Sequence, residues 1–211
     1  TADSSYFDNN SGSSVGGGLS VSGTIELTGC SVDNNHSNSE GGGVYLEGSM
    51  SALNSTIDSN QGYQGGGIYG IGELTLTNSD VDGNSGSGSG GGIYLDGEAS
   101  LESVSVDDNS SGSKGGGIYI HANGGIASPT LTNCIISGNR SWNGGGMYIN
   151  SEINSTASPT LTNCTINANS VNSQGSGVYV MNSGHHNGGI ASPHFINCIV
   201  WGQLWSNGSN K

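Results

Sequence analysis

Short apolar runs alternate with polar residues at a period of two along this chain, and the same runs recur at a nearly constant distance. Each repeat has three phases. In the first, Val44, Ile68, Ile93, Ile118, Met147 and Val178 follow a glycine triplet or its near copy. In the second, Leu27, Leu76, Leu101, Leu131, Leu161 and Phe195 recur, with the coil at Ala52 and Leu53 fitting less cleanly. In the third, Phe7, Val32, Ile57, Val81, Val106, Ile136, Ile166 and Val200 form an unbroken column. Alternation of this kind belongs to strands, whose successive side chains point to opposite faces, and not to helices. The glycine-rich starts at Gly16, Gly41, Gly65, Gly90, Gly115, Gly144 and Gly175 are separated by 25, 24, 25, 25, 29 and 31 residues. A fixed period of that size marks a solenoid.

Three residues after each third-phase apolar position stands Asn10, Asn35, Asn60, Asn84, Asn109, Asn139 or Asn169, and finally Gln203. Amides stacked one strand spacing apart can donate to one neighbour and accept from the other, which satisfies buried polar groups while the chain turns. The glycines that follow permit positive φ and close backbone approach at the next corner. These features predict an all-β fold: a parallel β-helix of about seven coils, each with three short strands, in a single domain over residues 1–211. A right hand follows from the usual sense of parallel crossovers.

Composition changes the picture in two ways. Only 31% of residues are hydrophobic and 40 are glycine, too little for a globular core but enough for the thin apolar column of a solenoid. The formal charge is −13, with Lys114, Arg140 and Lys211 the only cations, so nucleic acid is a poor partner. No apolar run reaches the roughly 20 residues of a membrane span, and no signal segment opens the chain. Starting inside a repeat, it reads as a mature product or a fragment of a longer surface protein. Cys30, Cys134, Cys164 and Cys198 share one place in the repeat, which favours stacked buried thiols and leaves one bridge between adjacent coils open.

The strings SPTLTNCIISGN (128–139), SPTLTNCTINAN (158–169) and INCIVWG (196–202), with the recurring GGGIY, resemble bacterial surface proteins built of right-handed parallel β-helix repeats. These include the polymorphic outer-membrane-protein type. The resemblance implies secretion to the extracellular space or cell surface and a structural or adhesive role. It carries no catalytic set.

Function then has to lie on the outward faces. Tyr45, Tyr69, Tyr94, Tyr119, Tyr148 and Tyr179 occupy the outward first-phase position and form an aromatic stripe. Such a stripe can stack on glycans, bury against another protein, or simply stiffen the sheet. Asp8, Asp33, Asp58, Asp82 and Asp107 occupy the outward third-phase position. Like charges one strand spacing apart repel by roughly 3 to 4 kcal/mol at an effective dielectric near 20, so this column invites Ca2+ unless it is a solvated acidic face. No cofactor is otherwise required.

The corner between the first and second phases lengthens in residues 121–129, 150–159 and 181–193, bringing in His121, His185 and His186 as loop residues of the kind that bind ligands. Outward pairs Thr75/Thr77, Thr130/Thr132 and Thr160/Thr162 resemble ice-binding arrays but are interrupted by Glu26/Thr28, Ser100/Glu102 and His194/Ile196. A lyase or hydrolase would need a basic residue or a carboxylate pair in a cleft, and Lys114 and Arg140 lie outside the Asp phase. Both ends of the chain sit near the third phase, so one copy can stack on another, while Leu204 and Trp205 could fold over the last coil. The sequence is therefore read as a non-enzymatic structural or adhesive protein, its partners itself or surface glycans. A polysaccharide-binding module is the alternative.

Overall fold

The computed structural model describes residues 1–182 and 189–207, and they form a right-handed parallel β-helix. The leucine face has eight parallel strands in chain order, from Ala2–Asp3 and Thr24–Thr28 to Thr160–Thr162 and His194–Ile196. Its register places Leu27, Ala52, Leu76, Leu101, Leu131, Leu161 and Phe195 one above the next. Ala52 thus keeps the position, with the buried Met50 two residues earlier in the column of Ile25 and Leu74. The tyrosine face also has eight strands, from Leu19–Val21 to Leu204–Ser206. The valine face runs from Asp80–Asp82 to Ile199–Val200, and single bridges through Tyr6, Ser31 and Thr56 carry it back toward the N-terminus.

Two further ladders lie outside the three phases. A serine-rich corner, from Ser11–Gly12 to Ser170–Val171, pairs as two-residue strands between the valine and tyrosine faces. In the late coils Ile126–Ala127, Thr156–Ala157 and Ile190–Ala191 pair inside the lengthened corner. The insertions are therefore stacked, with Ala127, Ala157 and Ala191 turned inward against the core. The core itself is one continuous column in which Val32, Ile57, Val81, Val106, Ile136 and Ile166 are fully buried, while Phe7 and Val200 on the outermost rungs are only partly covered.

The glycine triplet has a separate steric reason at each position. Gly65 has φ +59, which L side chains rarely adopt. A Cβ on Gly66 would stand 2.4 Å from the Gly91 carbonyl oxygen of the next coil. One on Gly67 would stand 3.0 Å from the Asn84 side-chain amide. Gly66→Ala is therefore expected to cost about 3 kcal/mol, as overpacking of a rigid interior does. Gly23→Ala, with nothing within 4 Å of the added carbon, is expected to be close to neutral. Urea denaturation of the two variants checks this, and equal midpoints would refute the steric account.

Candidate functional site

The asparagine positions come together as a continuous chain of amides. Each side-chain nitrogen donates to the Oδ1 of the asparagine on the next coil, at 3.1 Å from Asn10 to Asn35 and 3.0 Å from Asn35 to Asn60, Asn60 to Asn84, Asn84 to Asn109, Asn109 to Asn139, and Asn139 to Asn169. The second amide proton goes to a carbonyl of the preceding coil, as from Asn84 to Ile57 at 2.8 Å. The same Oδ1 also accepts a backbone N–H, as Asn84 does from Asn60 at 2.9 Å. Both donors and both lone pairs of a buried amide are thereby used. Asn84→Ala leaves several of these groups unpaired and is expected to lower stability by about 3 kcal/mol. Asn10→Ala, at an exposed rung, should cost less than about 1 kcal/mol; comparable losses in chemical denaturation would contradict this account.

The aspartate column is engaged in the same way. Asp8 Oδ1 accepts the Asp33 N–H at 3.0 Å, Asp33 Oδ1 accepts that of Asp58 at 2.9 Å, and Asp58 Oδ1 accepts that of Asp82 at 3.0 Å. Asp107 Oδ1 accepts the Ser137 N–H at 2.9 Å and its hydroxyl at 2.6 Å. Among the described residues no group of three or more His, Cys, Asp or Glu side chains is placed to share a metal ion.

Burial pushes Asp58 up from 3.8 to about 6, against the bond from Asp82 and with the help of the Asp33, Asp82 and Asp80 carboxylates. Asp82 is also raised, by burial first and then by Asp108. A carboxyl raised in the folded state binds its proton more tightly there than when unfolded. Asp58 thus favours the fold below pH 3.8, and that contribution is lost as the pH rises through about 6. Asp58→Asn keeps the acceptor and removes the charge. The variant should melt higher than the parent above pH 6, with the difference vanishing below pH 4; a pH-independent difference in melting temperature would rule this out.

The tyrosines do form one outward stripe, but not an open one. Tyr94, Tyr119, Tyr148 and Tyr179 are buried, and Tyr45 and Tyr69 are half-buried. Two packing effects close this outward face. The rings cover one another, with centroids 4.5 Å apart for Tyr69 and Tyr94, 5.1 Å for Tyr94 and Tyr119, 5.4 Å for Tyr119 and Tyr148, and 4.6 Å for Tyr148 and Tyr179. In addition, the later strands are longer, Ile118–Ala122, Met147–Ser151 and Val178–Asn182, so His121, Asn150 and Met181 stand outward beside the rings.

Trp205 continues the stripe, 4.3 Å from Tyr179 and stacked on it. Leu204–Ser206 pairs with Val178–Val180 as a further rung, so these residues extend the tyrosine face and do not fold over the end.

The polar tips of the stripe are tied down. The Tyr94 hydroxyl is 2.7 Å from His121 Nδ1, and His121 Nε2 lies 3.4 Å from Glu152 Oε1. Asn150 donates to the same Glu152 oxygen at 2.9 Å. Tyr148 donates to Met181 Sδ at 2.8 Å, and Lys114 Nζ lies 5.3 Å from the Tyr148 ring centre. Burial raises the Tyr94, Tyr119 and Tyr148 phenols above their ordinary value and pushes the Tyr45 phenol, aided by Glu47, up to about 12. All remain neutral at physiological pH. Tyr94, His121 and Glu152 thus form a chain from the buried phenol to a partly exposed carboxylate. His185 and His186 lie outside the described residues.

The cysteine column holds free thiols. Cys30, Cys134 and Cys164 are buried and Cys198 is half-buried. Cys164 donates to the Leu131 carbonyl at 3.4 Å, and its own N–H donates to Cys198 Sγ at 3.4 Å. The adjacent Cys134 thiol and burial push the Cys164 thiol up.

The sequence reading missed the left-handed corner just before this column. Gly29, Asn54, Asn78, Ser103, Asn133, Asn163 and Asn197 all have φ between 47 and 59. The prevalence of Asn and Gly there was the available signal, since these residues adopt positive φ at the least cost.

The outward threonines are in register, Thr75 with Ser100, Thr130, Thr160 and His194, but Glu102 and Ile196 break the second row. No helix among the described residues is long and apolar enough to cross a membrane.

These features define a parallel β-helix whose polar chemistry is largely spent between its own coils. Within it, residues 103–121, which carry Val106, Asn109 and the triplet at Gly115, match the Chlamydia polymorphic membrane protein repeat. That repeat belongs to a family of bacterial surface proteins. Comparison with curated proteins and with solved structures returns no match.

Proposed function

We propose that this protein is a non-enzymatic structural or adhesive element of the extracellular surface, a rod that associates end to end with copies of itself. The observation that carries the reading is the last rung. There Leu204 is 61% exposed, against full burial of Val178 and Met147 at the same position in the coils below, Phe195 and Val200 are only partly covered, and Ile196, Ile199 and Trp201 add outward apolar surface. An unpaired strand edge with apolar side chains is a template for another coil. The repeat match at 103–121 supports a surface location. Ca2+ held on the aspartate column would strengthen lateral or end contacts by removing like-charge repulsion.

The second reading is a polysaccharide-binding module. With the central tyrosines buried, its aromatic contacts on this face reduce to the half-buried Tyr45, Tyr69 and Trp205.

Electron microscopy over a concentration series, with calcium and with chelator, tests assembly. Filaments of uniform width with an axial repeat of roughly 35 to 40 Å, eight rungs at about 4.8 Å, are expected. Short monodisperse rods in every condition would sink the end-to-end proposal.

A further inference from the structure

The serine-rich corner carries a groove of about 500 Å3 that none of the sequence features above uses. It crosses successive coils: Ser85 and Ser87 on one, Ser110 on the next, Arg140 and Trp142 on the third, and Asn172 beyond. Its floor is made of residues too small to fill it. Gly112 cannot be replaced by anything larger, because a Cβ there would meet the Ser87 carbonyl oxygen at 2.3 Å. Trp142 is 55% exposed, and among the described residues its ring takes part in no aromatic contact, unlike the rings of the tyrosine face. Tyr63, 50% exposed, stands on the coil before Ser87, where its carbonyl accepts the Gly88 N–H at 2.6 Å. Two exposed aromatic rings therefore bracket small residues over three coil spacings, roughly 14 Å.

Ser110 bonds Ser85 and Ser141 bonds the Asn143 carbonyl, but two other polar groups of the groove lack such partners. Arg140 is one of three cations in a chain of net charge −13, and among the described residues it forms no ion pair. The Ser111 hydroxyl oxygen, in the groove wall, is shielded from solvent and has no hydrogen-bond partner. A shielded hydroxyl without a partner is uncommon in a folded protein and is costly.

From this geometry we infer that the corner groove is a binding site for a short acidic saccharide. The Arg140 guanidinium takes the sugar carboxylate as a paired donor, and Trp142 stacks on the apolar face of a ring. Serine hydroxyls and the Asn172 amide, which both donate and accept, meet sugar hydroxyls. A polyanion such as nucleic acid is disfavoured by the net charge, whereas one carboxylate needs only one cation. The inference rests on the surface-adhesive reading and supplies its ligand class, at a place distinct from the tyrosine stripe.

The test is an array of uronate- and sialate-bearing oligosaccharides beside their neutral counterparts, followed by titration of the strongest binder. Arg140→Gln and Trp142→Ala are both exposed changes that leave the core intact. Retention of acidic but not neutral saccharides is expected, weakening as salt is raised. Arg140→Gln should lower affinity by at least about tenfold, the scale of a lost hydrogen bond to a charged group. If acidic saccharides bind equally well to both variants, the groove is not the site, although the adhesive reading keeps a glycan partner. If no acidic saccharide is retained, the inference fails, and the structural reading is then decided by the filament measurement alone.

Discussion

Everything in this molecule depends on one interlock, between the asparagine amide of a coil and the third glycine of the coil before it. Gly43 faces Asn60, Gly67 faces Asn84, Gly92 faces Asn109 and Gly117 faces Asn139, each so closely that a Cβ would meet the amide at 3.0 Å or less. The amide can complete its hydrogen bonds to the coils above and below only because no side chain stands there. The absence of side chains is tolerable, in turn, because the amide fills the space. Polar satisfaction and close packing are usually separate requirements in a protein interior; here they share one site.

This coupling explains why so much of the fold was legible without coordinates. A residue type that recurs at one position on every coil, as Val32, Ile57 and Val81 do, or Asn35, Asn60 and Asn84, announces a shared environment. Features that need two columns side by side left no such trace. His121, Asn150 and Met181 stand in one column beside the tyrosines, yet they have no chemistry in common, so no periodicity revealed that they would cover the rings. Trp205 escaped for a related reason: its coil has lost the glycine triplet while keeping an aromatic ring at the tyrosine position. The inner ladder of the late corners was readable in principle, since Ala127, Ala157 and Ala191 each precede a Ser-Pro pair.

The distribution of chemistry follows from the same accounting. Outward columns that look functional in the sequence, the tyrosines and the aspartates, turn out to spend their hydrogen bonds on the neighbouring coil or on residues beside them. Among the described residues two shielded polar atoms lack a partner, Asn167 Oδ1 in the aspartate column and the Ser111 hydroxyl in the serine-rich corner, where Arg140 and Trp142 also stand. In a solenoid the unusual residue within a monotonous column is the one that cannot be explained by stacking.

The coil length in the leucine register grows from 25 residues between Leu27 and Ala52 to 30 between Leu101 and Leu131 and 34 between Leu161 and Phe195. All of that growth is absorbed at one edge, between the tyrosine and leucine faces, while the valine and serine sides remain in step. The scaffold thus behaves like a bound book with an uneven fore-edge: the spine is sewn at constant pitch, and pages of different width can be inserted without disturbing it. Such a chain can diversify one flank of its surface coil by coil while inheriting the other three unchanged.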